Sequence, residues 1–192
     1  MRRLAILPLA GFVLAACTAT LNSDEEVLCS PIGERTVLIL AAQAVPSATL
    51  MPCMSDFPAG WSFAGSDIRS GRARFWLESD RAGVRAIEVE LTRTCDVSGL
   101  DEAPNAGGEL DVRVYVEPLT FQPYAANRYF TFTGGCAIYR YRFTPTDEWP
   151  NLALEANDAL TFLPRSTLVA HVEAERDQTL CGASAPPCVV GD

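Results

Sequence analysis

The chain has 192 residues, 48 % of them hydrophobic, with a formal net charge of −9 at pH 7 and no lysine. That length suits one domain with its own core and is short for two. The acidic balance argues against nucleic acid and against charge-driven adhesion to anionic lipid, and the absence of lysine excludes Schiff-base chemistry and a Ser–Lys dyad.

Met1-Arg2-Arg3 is a basic start, and Leu4 to Ala16 is apolar except for Pro8 and Gly11. This run of 13 residues is too short for a membrane span, which needs roughly 20. A basic start, an apolar middle and small residues before Cys17 are the layout of a secretory signal peptide. Leu14-Ala15-Ala16-Cys17 resembles the lipobox of bacterial lipoproteins. The resemblance implies cleavage before Cys17, a diacylglycerol on the Cys17 thiol and acylation of the new amino terminus, with palmitate as the expected acyl group. An ordinary signal cut after Ala19 is the competing reading. Loss of Arg2 and Arg3 moves the net charge from −9 to −11, so attachment to a membrane rests on lipid rather than on a basic patch. The expected organisation is a signal peptide at 1–16, a polar, flexible lipid-attached tether at 17–28, and a single extracytoplasmic domain at 29–192.

Val37 to Val45 is apolar apart from Gln43, a pattern that fits a buried strand or a buried helix. The alanines at 41, 42 and 44 favour a helix ending at Val45, before Pro46. Pro52 to Gly60 reads as loop or edge material. Trp61 to Ile68 is the first strand candidate. Ala73, Phe75 and Leu77 then alternate with Arg72, Arg74, Trp76 and Glu78, and Ile87, Val89 and Leu91 alternate with Glu88, Glu90 and Thr92. One apolar face at period two marks a half-buried antiparallel sheet, and Ser79 to Gly83 is the turn between those two strands. Asp96 to Gly108 is a loop. Val112, Val114 and Val116 form a strand whose other face carries Asp111, Arg113, Tyr115 and Glu117. Tyr129 to Thr133 and Ala137 to Phe143 make a hairpin around Gly134-Gly135, with Arg140 and Arg142 on one face and Tyr139, Tyr141 and Phe143 on the other. Leu152, Ala156, Ala159, Leu160 and Leu163 recur at helical spacing, with Pro150 in the first turn and Pro164 ending the helix. Ser166 caps a last helix with Leu168, Val169 and Val172 as its stripe. The expected fold is α+β: an antiparallel sheet of about five or six strands with helices on one face, stapled by disulfides.

There are seven cysteines. An exported chain meets an oxidising compartment, where an odd thiol is a liability. Lipidation of Cys17 leaves an even set: Cys29, Cys53, Cys95, Cys136, Cys181 and Cys188. Six cysteines allow 15 connectivities; nearest-neighbour pairing, Cys29–Cys53, Cys95–Cys136 and Cys181–Cys188, is the expectation, and each of the two longer loops would contribute roughly 3 kcal/mol. No pair has C-x-x-C spacing and His171 is the single histidine, so no metal site and no cofactor are expected.

Catalytic signals are sparse. No G-x-S-x-G, S-x-x-K, H-E-x-x-H or P-loop occurs, and His171 reads as a packed or surface residue on a helix. Glu78 with Asp80, or Glu88 with Glu90, are the paired carboxylates that a glycoside-type hydrolase would need, but both pairs also fit a solvated sheet face. Asp96, Asp101, Glu102 and Asn105 lack the spacing of a calcium loop. The richest constellation is Arg72, Arg74 and Trp76 on one strand with Arg140 and Arg142 on another. If those strands are neighbours, the five residues make an arginine-plus-aromatic face suited to an anionic or glycan partner. The competing reading is that these arginines balance Glu78, Glu88, Glu90 and Asp111 across the sheet.

Ala42-Gln43-Ala44-Val45-Pro46-Ser47-Ala48, Pro52-Cys53, Pro58-Ala59-Gly60-Trp61, Ser79 to Gly83, Gly134-Gly135-Cys136, Cys181-Gly182 and Pro186-Pro187-Cys188 are similar to stretches of uncharacterised actinobacterial envelope proteins. That resemblance implies turns, staples and an envelope location, and it carries over no functional residue. The sequence therefore points to a lipoprotein on the outer face of a bacterial cell membrane, non-catalytic, with an envelope protein or a glycan as partner. An envelope hydrolase using paired carboxylates is the alternative.

Overall fold

The computed structural model describes residues 29, 35–104, 111–117, 125–145, 147–176 and 180. The segments expected to be a signal peptide and a tether, with Cys17, and also Asn105, Cys181 and Cys188, lie outside the described residues.

Helix α1 (Arg35–Ala44) takes up the ambiguous apolar run as a helix. Ile39, Ala41 and Ala42 of α1, with Val45 just after it, are buried beside Ala73 and Leu91 of the sheet. Strands β2 (Trp61–Arg69), β3 (Arg72–Ser79) and β4 (Gly83–Thr92) follow as a meander. In β3 every second residue is buried from Ala73 to Ser79, the period-two pattern of a sheet with one face in the core.

Beyond β4 the chain crosses to the far edge of the sheet. It forms β5 (Asp101–Ala103), β6 (Arg113–Val116) and β7 (Ala125–Phe132), and returns as β8 (Gly135–Arg142), which inserts beside β4. The sheet order is β2-β3-β4-β8-β7-β6-β5, antiparallel throughout. The described sheet thus has seven strands rather than five or six. The strand beyond expectation is β5, which lies in the segment read as a loop and pairs with the edge offered by β6.

The second departure concerns Pro52 and the end of the predicted helix over 152–163. β1 (Leu50–Met54) is a fully buried strand, not a loop. Helix α2 (Trp149–Ala159) stops at Leu160, which turns extended, and β9 (Leu160–Pro164) pairs with β1 as a separate two-stranded ribbon. Thr161 and Phe162 are strand-favouring residues, and Phe162 stacks near Tyr139 at 6.1 Å between ring centroids, with Phe130 at 5.5 Å and Phe132 at 5.7 Å. Packing of this half-buried ring against the sheet aromatics outweighs the helical spacing of Leu160 and Leu163. Pro52 is tolerated because a two-stranded ribbon has two outer edges that require no donor. Both ends of the ribbon are tied: the Ser55 amide donates to the Ala159 carbonyl at 2.9 Å, and the Arg165 amide to the Thr49 carbonyl at 2.8 Å. The helices are therefore not a simple layer, since α2 and α3 (Arg165–Arg176) both pack on β9. Ser166 sits inside the first turn of α3 rather than capping it.

The β7–β8 turn is docked on the α1–β1 connection. The Ser47 hydroxyl donates to the Gly134 carbonyl at 2.6 Å and the Thr49 hydroxyl to the Thr133 carbonyl at 2.8 Å. Gly134 has φ +72°, and a Cβ there would fall 1.9 Å from the Ser47 carbonyl oxygen; only glycine meets both demands. Two disulfides are formed as expected: Cys29–Cys53, with Cα atoms 5.8 Å apart, and Cys95–Cys136, 5.9 Å apart.

Candidate binding site

The arginine face is real as a face, but its strands are not neighbours. β4 stands between β3 and β8. Register puts Trp76 opposite Glu88 and Glu88 opposite Arg140, with Arg74 opposite Glu90 one step along. The predicted cluster is thus divided by two glutamates. Arg140 donates to Glu88 Oε1 at 2.6 Å and to Glu90 Oε2 at 2.8 Å, while the Trp76 indole donates to Glu88 Oε2 at 2.8 Å. Arg74 donates to Asp67 Oδ2 at 2.8 Å, and Arg69 donates to the other oxygen of that carboxylate at 2.9 Å. These two guanidinium groups hold the Asp67 carboxyl below the ordinary carboxylate range. Arg85 and Arg74 lie 4.8 and 5.7 Å from the Trp76 ring centroid, within cation–π range. Arg142 donates to Asn127 Oδ1 at 3.2 Å and to its own strand's Tyr141 carbonyl at 2.7 Å. Arg72 faces Arg69 across the β2–β3 ladder. Of the five predicted residues, Arg74, Trp76 and Arg140 are thus engaged by carboxylates of the same sheet.

This network has a measurable consequence. The Glu90 side chain is only 12 % exposed, and Arg140 is its hydrogen-bonded partner. Arg140→Met leaves it a half-desolvated charge and is expected to cost about 2 kcal/mol, below the 3–5 kcal/mol of a fully buried pair. Adding Glu90→Gln recovers most of that loss. Urea denaturation of the single and double variants checks both; a single variant that unfolds at the wild-type midpoint refutes the role assigned to the network.

A concave feature of the described residues lies on the opposite face of the sheet, the one carrying Tyr139. A cavity of about 460 Å³ opens between β6–β8 and the α2–β9 segment. Val114, Val116, Phe130 and Tyr139 line its sheet wall; Leu154, Leu160 and Phe162 line the other. The size is that of a small-molecule site. Leu154 is 59 % exposed and marks the mouth. Four further side chains bring polarity: Arg128, Asn157, Asp158 and Thr161. Asn157 accepts a hydrogen bond from Tyr141. The Tyr139 hydroxyl is buried and finds no hydrogen-bond partner among the described residues, and burial pushes its phenol well above the ordinary tyrosine value.

The remaining candidates fall elsewhere. Glu88 and Glu90 share Arg140 as partner. Glu78 accepts a hydrogen bond from the Ser62 hydroxyl at 3.3 Å, and Asp80 lies 3.9 Å from Arg81. Asp96 accepts from the Ser98 amide at 2.9 Å and from its hydroxyl, which closes a local turn and holds its carboxyl below the usual range. His171 is half-buried on α3. Among the cavity-lining residues Asp158 is the one carboxylate.

The sequence reading overlooked Arg128. One signal existed: Arg128, Phe130 and Phe132 occupy the same phase of β7, so a charge interrupts an apolar alternation. No family model, curated protein or solved structure matches the chain.

Proposed function

We propose that the chain is an exported, lipid-anchored binding domain of the bacterial cell envelope, held on the outer face of the membrane through Cys17 and non-catalytic. The observation that carries this reading is the pair of disulfides, Cys29–Cys53 and Cys95–Cys136. Stable disulfides belong to oxidising compartments, and export is what the signal-like start and the lipobox resemblance imply. No described helix is long and apolar enough to cross a membrane, and a lipid on Cys17 is the attachment that the lipobox resemblance implies. A binding role is supported by the cavity: it is walled by apolar side chains with a few polar groups, the composition of a ligand site. The carboxylate pairs considered for a hydrolase lie away from it, and a lone Asp158 lacks the second carboxyl that glycoside hydrolysis requires. Its partners are envelope components, a protein or glycan among them, and a small ligand in the cavity.

Cys17→Ser is expected to move the protein from the membrane fraction to the soluble exported fraction, or to arrest it as the uncut precursor. Fractionation with immunoblotting reads the outcome. Variant protein that remains in the membrane fraction at its normal processed size overturns the anchor.

A further inference from the structure

We propose that the cavity between β6–β8 and α2–β9 binds an amphiphile with a carboxylate head, the head taken by Arg128 and the Tyr139 hydroxyl and the apolar tail lying against Phe130 and Phe162. This rests on the binding-domain reading and gives it a ligand class.

Two independent observations converge. The first is an unsatisfied donor. Tyr139 is 2 % exposed, lines the cavity and has no partner for its hydroxyl among the described residues. A buried hydroxyl without a partner forfeits hydrogen-bond energy, and a group that supplies an acceptor at that depth recovers it. The second is an unpaired cation. Arg128 is half-buried in the same wall, and among the described residues no carboxylate forms an ion pair with it. On the sheet's opposite face the half-buried Arg74 and Arg140 are each paired with a carboxylate of the same sheet. Arg128 and Tyr139 are direct partners in the β7–β8 ladder, so their side chains leave the backbone side by side toward the same face. A planar carboxylate offers several acceptor sites and can take both donors at once.

The rest of the cavity selects the tail. Valines, phenylalanines and leucines dominate its walls, and a carboxylate alone would leave that surface wet. Asp158 also lines the cavity, but it is exposed, so solvent screens its charge from the head. The Thr161 side chain adds polarity on the β9 side. A cationic amphiphile finds the wrong charge at Arg128, and a neutral one leaves Arg128 unpaired.

The test uses the oxidised full chain without detergent and compares dodecanoate, 1-dodecanol and dodecyltrimethylammonium by isothermal titration calorimetry. Dodecanoate is expected to bind tightest. Arg128→Gln is expected to weaken dodecanoate by about tenfold or more while leaving dodecanol affinity within about twofold. Leu154→Trp, a substitution at an exposed position, is expected to weaken both tailed probes by narrowing the mouth. Urea midpoints establish that the variants are folded. Equal affinity for dodecanoate and dodecanol, unmoved by Arg128→Gln, overturns the carboxylate head and leaves a binding domain with another ligand. No binding of any probe overturns the inference, while Cys17-dependent membrane retention stands or falls separately. Recovery of chemically altered dodecanoate overturns the non-catalytic reading instead.

Discussion

Replacing Cys95 and Cys136 together by alanine is expected to lower the unfolding free energy by about 3–4 kcal/mol. The two residues are 41 apart in sequence, and the chain between them holds β5, β6 and β7. β4 runs to Thr92 beside Cys136 in the β4–β8 ladder, and Cys95 follows three residues later, so the bond ties the start of the excursion to its return. The central pairing of the sheet, β4 with β8, is therefore a contact that an uncross-linked chain must form across a long loop. A cross-link that closes a loop of this length removes that part of the entropy loss from folding. Cys136 is 1 % exposed, so alanine also leaves a small void, which adds to the loss. Cys29–Cys53 closes a shorter loop, 24 residues, and because the dependence on length is logarithmic its removal is expected to cost nearly as much, about 3 kcal/mol. Urea denaturation of each alanine pair, with the other disulfide kept oxidised, makes the comparison. A loss under about 1 kcal/mol for the Cys95/Cys136 pair contradicts the argument.

What the sequence disclosed was what neighbouring residues decide. Alternation in Arg72 to Glu78 and Ile87 to Thr92 located β3 and β4 and assigned their faces correctly, because period two needs only local residues. The opposition of Arg140 and Arg142 to Tyr139 and Tyr141 held for the same reason. Strand order was hidden, because hydrogen-bonded neighbours are chosen by distant segments. The insertion of β8 beside β4 places Glu88 and Glu90 between Trp76 and Arg140, and a cluster that looked free for a partner becomes an internal ion-pair network. β9 was hidden because Leu160 and Leu163 satisfy a helical stripe as well as a strand, and the deciding contact, Phe162 with Phe130 and Tyr139, is non-local. β5 was hidden because Asp101-Glu102-Ala103 has no strand propensity of its own. The cavity is the space left between the far half of the sheet and the α2–β9 segment, and no local pattern encodes such a space. Arg128 was its one sequence trace.

Raising the pH above about 10 is expected to destabilise the fold steeply through Tyr139 and Tyr141. Both are buried, at 2 % and 4 % exposure, and burial pushes both phenols upward. In the unfolded chain a tyrosine ionises near pH 10. In the folded chain each keeps its proton, so above that pH the unfolded state releases protons that the native state retains. The sign follows: with the folded-state pKa raised, the contribution is fully present below about pH 10 and is lost as pH rises toward the folded-state values. Each tyrosine supplies about 1.4 kcal/mol per pH unit in that window, or about 2.7 for the pair. Between about pH 10 and 11.5 the loss reaches about 4 kcal/mol, a large share of the 5–15 kcal/mol that holds a typical domain folded. Tyr139→Phe separates this effect from general alkaline damage. Its hydroxyl has no partner among the described residues, so the substitution is expected to leave stability at pH 7 unchanged or slightly raised, while removing about half of the alkaline slope. Tyr141→Phe also removes about half of the slope but gives up the hydrogen bond to Asn157, costing about 1 kcal/mol at neutral pH. Urea midpoints at about pH 9, 10 and 11, read within minutes of the pH change, give the slopes, and phenolate absorbance reports when the tyrosines ionise. A midpoint that does not move over this range, or phenolate appearing near pH 10 at these two positions while the chain is still folded, contradicts the burial argument for both residues.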